Sequence, residues 1–515
     1  MNIPDIRTVT VIGAGTMGSG IALTALRAGF EVRLYDISQA MLSRASEYIQ
    51  HHLQRKNQED RFAALSLIDK LEAFSGSDVV IEAAPEKLDI KKTLFRDISE
   101  ICPPPALLVS NTSTLPITLL AASAEAPERV GGMHFFNPAP VLPLVEVIRA
   151  VQTSETAFQR MLGFARSLGK TPVAVNDTPG FIVNRVARPF YGEALKLLAE
   201  GAASHSDIDA IMEGIGFRMG PFRLMDLIGI DINFTAMKSM YEQTFFEPRY
   251  RPSLIQQQKI HAGHLGRKTG RGFYNYAETD DVAEPPQDST ETPAFSGKVL
   301  LLGEDWAPDL RASLQAAGMN VTGEPADDVA VAIVAASHER DLQKHVIVLD
   351  QRLSEWTPLL VQCYDKPLSE IASWMEHPQR LAGLDGLFFA TSSRPTLARH
   401  AKWNHELEPL VEAFMAALQK QPVWIQETPG LVASRILCML INEAAFAALE
   451  KVANPETIDL AMKLGVNYPK GLFEWGAALG YSRVLAILQH LYDEYGEDRY
   501  RPCVYLKQLV RMKND

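Results

Sequence analysis

The chain has 515 residues, 47% of them hydrophobic and 22% charged, with a formal net charge of −12. That length predicts three or four domains with ample core, and the acidic balance argues against nucleic acid or an anionic membrane as a general partner. No apolar run is long enough to span a bilayer, Met1-Asn2-Ile3-Pro4-Asp5 lacks the pattern of a secretory signal, and Cys102, Cys363, Cys438 and Cys503 lie far apart with no C-x-x-C; a cytoplasmic protein with reduced thiols and no metal site is expected.

Thr8 to Ile12 reads as a buried strand. Gly13-Ala14-Gly15-Thr16-Met17-Gly18 and the start of a helix follow. Gly13, Gly15 and Gly18 have the G-x-G-x-x-G spacing, in which the first glycine makes a tight turn, the second admits a pyrophosphate and the third lets the helix pack on the strand. The phosphates then meet the free N–H groups at the helix start, around Thr16 and Met17. A second strand, Glu31 to Tyr35, ends at Asp36, whose carboxylate suits both ribose hydroxyls and repels a 2′-phosphate. This favours NAD over NADP.

Residues 37 to 73 read as two amphipathic helices, Gln39 to Arg55 and Asp60 to Lys70. Arg55 and Lys56 lie at the end of the first; such charges usually mark a solvated face, and they also suit the phosphates of a nucleotide-bearing substrate. Strands follow at Val79–Glu82 and Leu107–Ser110, each after a helical pattern, as parallel β-α-β units require. The stretch from Gly131 to Ile148 reads as two short strands about a proline-rich turn. Residue 140 is the midpoint of His134 and Glu146, so the two side chains are expected to face each other across an antiparallel pair. A His–Glu pair fixes the imidazole tautomer and favours its charged form, which suits a general base; the plain alternative is a core histidine beside a half-exposed glutamate.

Asp177-Thr178-Pro179-Gly180 opens a helical region, with a long helix predicted from Phe181 to about Glu200 and more helices over 205 to 265. The acidic, Pro-, Ser- and Thr-rich residues 277 to 296 read as a linker. The chain then repeats. Thr178-Pro179-Gly180 recurs as Thr428-Pro429-Gly430, and Arg249-Tyr250-Arg251-Pro252 as Arg499-Tyr500-Arg501-Pro502, both at an offset of 250. Lys298 to Gly303 matches the first strand at an offset of 290, which falls to 251 by Pro378, a loss of 39 residues from the region of the helical arm. In the second copy Gly15 becomes Asp305, Gly18 Pro308, His134 Asp385 and Asn184 Ser434, so one active site per chain is expected. The expected order is an α/β Rossmann-like NAD-binding domain (1–176), an all-helical domain (177–276), the linker (277–296), a shortened degenerate Rossmann-like domain (297–426) and a second helical domain (427–515).

Four motifs in register, Gly13 to Gly18, Ser110-Asn111-Thr112-Ser113, His134-Phe135-Phe136-Asn137-Pro138 and Thr178 to Arg185, resemble the 3-hydroxyacyl-CoA dehydrogenases. The resemblance implies NAD as cofactor, an acyl-CoA thioester as substrate, His134 as base with Glu146 as its partner, and Ser113 and Asn184 at the substrate's reacting oxygens. It places Asp36, Glu86, Lys91, Asn137 and Lys268 against NAD. The duplicated long form is similar to bacterial members that act on 3-hydroxyadipyl-CoA in phenylacetate catabolism. Two residues that hold CoA in the short animal enzymes fall on His52 and Glu59 here, so those contacts do not carry over, and Arg55 and Lys56 are the substitutes considered. Arg188, four residues after Asn184, is expected on the same helix face, where it would meet a distal carboxylate or make an ion pair between helices or domains. Two other readings compete: a reductase of a short 3-oxoacyl-CoA such as acetoacetyl-CoA, and a non-catalytic NAD- or acyl-CoA-binding protein. The intact Ser113, His134, Glu146 and Asn184 weigh against the second. The two helical copies are expected to pair within the chain or to join a homo-oligomer.

Overall fold

The computed structural model describes residues 6–276, 295–303, 308–336 and 339–513. The expected linker therefore falls almost wholly outside the described residues, as does Asp305. The chain forms two units, Met1–Val186 with Phe446–Phe473, and Ala187–Ala445 with Glu474–Asp515.

In the first unit, eight strands form one sheet: β1 (Thr8–Ile12), β2 (Glu31–Tyr35), β3 (Leu65–Ile68), β4 (Val79–Glu82), β5 (Leu107–Ser110), β6 (Val130–Phe135), β7 (Leu144–Arg149) and β8 (Thr171–Asn176). Their order is β3-β2-β1-β4-β5-β6-β7-β8, parallel except for the antiparallel β6–β7 pair. The central strands β1, β4 and β5 are buried along their whole length, as a parallel sheet covered on both faces requires. The chain leaves β1 in one direction and returns to β4 on its other side, so the carboxyl ends of β1 and β4 make the crevice where such folds bind ligands. Gly13 occupies that point with φ +99°, and a β-carbon there would lie 2.5 Å from Ala83 O.

The helix expected over Asp60–Lys70 is not formed. Glu59–Ala64 makes a short 3-10 turn, and Leu65–Ile68 pairs in parallel with β2, Val32 opposite Leu65 and Tyr35 opposite Ile68. The open edge of β2 offers backbone partners to this short apolar run, and that outweighs a local helical periodicity of about three turns. The long helix expected from Phe181 is also broken, into Val183–Val186 and Arg188–Ala199. Pro189 explains the break, because its ring has no N–H and collides with the carbonyl four residues back. Met439 occupies the equivalent place in the second copy, and there the helix runs unbroken from Ala433 to Leu449.

The second unit carries a seven-stranded sheet: β9 (Lys298–Leu302), β10 (Asn320–Thr322), β11 (Val329–Val334), β12 (Leu359–Gln362), β13 (Leu381–Leu384), β14 (Thr396–Arg399) and β15 (Val423–Gln426). Its order, β10-β9-β11-β12-β13-β14-β15 with β13–β14 antiparallel, repeats the first sheet without β3. Residues 323–328 join β10 to β11, where residues 36–78 join β2 to β4. The deletion inferred from the falling offset thus removes one helical arm and one edge strand.

The two helical copies meet reciprocally in this unit. Glu443 accepts from Arg249 Nη1 at 2.8 Å and from Tyr250 Oη at 2.6 Å. Glu193, the residue 250 positions earlier, lies 2.9 Å from Arg499 Nη2 and accepts from Tyr500 Oη at 3.0 Å. Arg435 Nε adds a third donor to Glu193 at 2.9 Å. These groups are buried, and burial alone would push Glu193 towards its neutral form; Arg499 and Arg435 outweigh that and hold it below the usual carboxylate range.

Candidate active site

The glycine-rich turn ends β1 and starts the Thr16–Arg27 helix. A β-carbon at Gly18 would stand 1.7 Å from Gly13 O, so only glycine lets the helix approach the strand this closely. Gly15 is different: an added β-carbon there meets nothing within 4 Å, which leaves open space before the helix start. No side chain caps that helix and no acidic residue lies in its first turn, an arrangement in which the first N–H groups, those of Thr16 and Met17, suit an anion. Asp36 Oδ2 accepts from Ala14 N at 2.8 Å, and Oδ1 from Ser38 N at 2.8 Å. Each oxygen keeps a lone pair for a ribose hydroxyl. Ile37, 90% exposed beside it, offers an apolar face to a base. These residues fit a dinucleotide without a 2′-phosphate.

At the carboxyl ends of β4 and β5 lies a polar chain that starts from the buried Glu82, Lys91 and Ser110 and ends at the exposed Glu86. Lys91, 1% exposed, donates to Glu82 Oε1 at 2.6 Å and lies 3.2 Å from Glu86 Oε2. Ser110 Oγ donates to the other Glu82 oxygen at 2.5 Å. Glu86 Oε1 accepts from the hydroxyls of Thr112 and Thr114 and from Ser113 N. Burial opposes the charge on Glu86, but Lys91 and the threonine hydroxyls outweigh it and keep the carboxyl below its ordinary value. Glu86 thus fixes the loop that carries Ser113, and Lys91 reaches that loop through Glu86. Asn111 Oδ1 accepts from Phe135 N at 2.8 Å and ties the same loop to the histidine strand.

His134 and Glu146 are directly opposed in the β6–β7 register. His134 Nδ1 lies 2.7 Å from Glu146 Oε2, and the carboxylate is fully buried. Its second oxygen accepts from Ile182 N at 2.9 Å and Val183 N at 3.0 Å. Two backbone N–H groups on one oxygen suit an ionised carboxylate, and such a group only accepts; facing it, Nδ1 carries the hydrogen and Nε2 is left to take a proton. The turn that aims those two N–H groups is tight: Gly180 has φ +75° and Phe181 φ +51°. Phe136 and Phe181 flank the imidazole, with ring centroids 4.6 and 5.9 Å away. Asn184 follows on the Val183–Val186 helix, half-buried.

The other expected residues are placed as follows. Asn137 is exposed, just after β6, and precedes a cis proline. Arg55 and Lys56 are exposed at the end of the Gln39–Gln54 helix. Lys268 belongs to the second unit, where its ammonium is paired with Asp231 at 2.5 and 2.7 Å. The single helix face expected for Asn184 and Arg188 does not exist, because the break at Pro189 puts them on different helices. Arg188 is 4% exposed with its guanidinium 5.2 Å over the Tyr191 ring. In the second copy, Asp385 accepts from Ser434 Oγ at 2.9 and 3.0 Å, and burial pushes its carboxyl up to about 6. Sequence reasoning missed Glu82, Ser110 and the backbone of Ile182 and Val183. Glu82 carried a signal: a glutamate ending an otherwise apolar buried strand needs a partner.

A Rossmann crevice with a His–Glu pair at its edge defines an NAD-linked dehydrogenase. The NAD-binding domain of 3-hydroxyacyl-CoA dehydrogenase matches residues 8–178, and the C-terminal domain of the same family matches residues 180–276 and again 430–514. The chain is 38% identical over 524 residues to 3-hydroxyadipyl-CoA dehydrogenase of Escherichia coli K12, covering 99% of this chain and 98% of that protein. A crystal structure of 3-hydroxybutyryl-CoA dehydrogenase from E. coli K12 superposes with a TM-score of 0.82 at 35% identity, over 99% of both chains. A probable 3-hydroxybutyryl-CoA dehydrogenase of Bacillus subtilis is 41% identical over 284 residues, which is 53% of this chain and 99% of that one. The chain belongs to the 3-hydroxyacyl-CoA dehydrogenase family, and its activity is NAD-dependent 3-hydroxyacyl-CoA dehydrogenation. Among the described residues no helix is long and apolar enough to cross a membrane.

Proposed function

We propose that this enzyme oxidises (3S)-3-hydroxyadipyl-CoA to the 3-oxoacyl thioester, with His134 as general base. The observation that carries the mechanism is the Glu146 carboxylate, which holds His134 Nδ1 at 2.7 Å and leaves Nε2 as the acceptor. Bound NAD supplies the acceptor for the C3 hydride. His134 Nε2 takes the C3 hydroxyl proton as the carbonyl forms, and Glu146 stabilises the resulting imidazolium. In the reducing direction His134 returns that proton. Ser113, on the loop held by Glu86, and Asn184, after the Glu146-bound turn, bind the substrate's reacting oxygens. Gly13, Gly15, Thr16, Met17, Gly18 and Asp36 hold the dinucleotide, with Glu86 and Asn137 as further cofactor residues and Lys91 acting through Glu86. Arg55 and Lys56 are the cations for the CoA phosphates.

The adipyl preference rests on the relative that matches end to end, 3-hydroxyadipyl-CoA dehydrogenase of E. coli. The E. coli structure matched over the same length is that of a 3-hydroxybutyryl-CoA dehydrogenase, so the competing reading is a short-chain enzyme. Initial rates of NADH formation at 340 nm with the (3S)-3-hydroxyadipyl, 3-hydroxybutyryl and 3-hydroxyhexanoyl thioesters separate them. A higher kcat/KM for the adipyl thioester supports the proposal; equal or higher values for the butyryl thioester overturn it. His134→Ala, measured alongside, is expected to lose about 10²–10⁴ in kcat.

A further inference from the structure

We infer that the catalytically empty second half supplies a working part of the first half's site: the Pro455–Val466 helix is a positioning element for the His134–Glu146 pair, and Gly465 is the residue through which it acts. The inference rests on that pair being the catalytic one.

The helix belongs to the second repeat by sequence, yet it packs within the first unit against β7, β8 and the Val183–Val186 helix. Three contacts seat the segment before it. Arg185 Nη2 lies 2.8 Å from Glu450 Oε2, Asn176 N donates to Val452 O at 3.1 Å, and Asn176 Nδ2 donates to Lys451 O at 2.7 Å. The helix then presents Gly465, buried in its last turn. Glycine weakens a helix relative to alanine, so a buried helical glycine marks a close approach.

A β-carbon at Gly465 would stand 2.8 Å from Leu144 Cδ2, 3.1 Å from Val183 Cγ2 and 3.5 Å from Phe136 Cζ. Each neighbour leads to the pair. Leu144 begins β7, which carries Glu146. Val183 donates its N–H to Glu146 Oε1. The Phe136 ring rests on His134. Val183 is β-branched and stiff at χ1, so it yields to an added group by moving its backbone. That movement lengthens the bond to Glu146.

The close approach is built in both halves. In the second unit, Gly214, at an offset of 251 from Gly465, ends the His205–Gly214 helix. A β-carbon there would meet Arg394 Cβ at 2.7 Å and Arg394 N at 3.1 Å. Arg394 stands 250 positions after Leu144. Each repeat's helix therefore presses a glycine on the strand turn of the other repeat's sheet. In the first unit that turn leads to the His134–Glu146 pair; in the second it leads to Asp385.

The test is Gly465→Val and the milder Gly465→Ala in the full chain, with Gly465→Ala/Val183→Ala as the relieving double variant. Gly465→Val is expected to lose about 10-fold or more in kcat with the Kd for NAD unchanged. The double variant is expected to regain most of the lost kcat. Should Gly465→Val fail to fold, Gly465→Ala carries the same readouts at smaller amplitude. Wild-type kcat in a folded Gly465→Ala or Gly465→Val overturns the inference, as does a rate loss that the double variant does not rescue. His134→Ala separates the two claims: full turnover in it removes the catalytic assignment itself, whereas an inactive His134→Ala beside unperturbed Gly465 variants removes only the role of the helix.

Discussion

At the scale of single residues the chemistry is a matter of which atom holds which proton. Glu146 turns one oxygen to two backbone N–H groups and the other to His134 Nδ1, an arrangement that suits an ionised carboxylate, which only accepts. In Glu146→Gln the amide oxygen keeps the Ile182 and Val183 bonds, and its NH2 then faces Nδ1. The imidazole must flip to the tautomer with hydrogen on Nε2, and it ceases to be a base at the substrate. A loss of about 10²–10⁴ in kcat with unchanged NAD binding is expected from steady-state kinetics and fluorescence titration. Asp385, at the position matching His134, shows the opposite use of burial. Its folded pKa of about 6 stands above its ordinary value of 3.8 because burial penalises the charge. The protonated form therefore favours folding; that contribution is complete below the unfolded value and is lost as pH rises through about 6. Asp385→Asn removes the buried charge and is expected to stabilise the protein by about 2–3 kcal/mol at pH 8, with a gain that shrinks at pH 5, as read by urea unfolding at both values.

At the scale of elements, loops on the edge of the sheet are held by carboxylates beneath them. Glu86 gathers Thr112, Ser113 and Thr114, and Lys91 anchors Glu86 from below. Glu86→Ala frees that loop and leaves Lys91 paired with Glu82. About 10-fold is expected to be lost from kcat/KM with little change in thermal midpoint, because the loop is positioned rather than stabilised by these bonds. The strand and helix boundaries follow the same local logic. Pro189 divides one helix, and its absence at Met439 leaves the copy whole. That break was written in the sequence as a proline about two turns into the pattern. The β3 strand was not, because Leu65–Ile68 takes its form from the open edge of β2, more than thirty residues earlier.

At the scale of the whole molecule, duplication lets one chain hold both sides of a reciprocal helical interface. Glu193 with Arg499 and Tyr500, and Glu443 with Arg249 and Tyr250, are the same contact made twice. Arg499→Ala strands a fully buried carboxylate on one partner fewer and is expected to cost about 3 kcal/mol in urea unfolding, with the linear slope unchanged. The amino-acid sequence by itself determined the glycine-rich turn, the acidic residue that ends the second strand, the opposition of His134 and Glu146 about residue 140, and the repeat at 250 residues. All of these are short-range or periodic, and spacing alone expresses them. Only the tertiary structure decided that Glu146 also seizes the Ile182 and Val183 N–H groups, that Glu86 gathers the loop from Thr112 to Thr114, and that a helix from the second repeat packs on β7 and β8 of the first unit. Those are contacts between segments dozens to hundreds of residues apart, and their partners are chosen by how buried surfaces and unpaired backbone groups are satisfied in three dimensions.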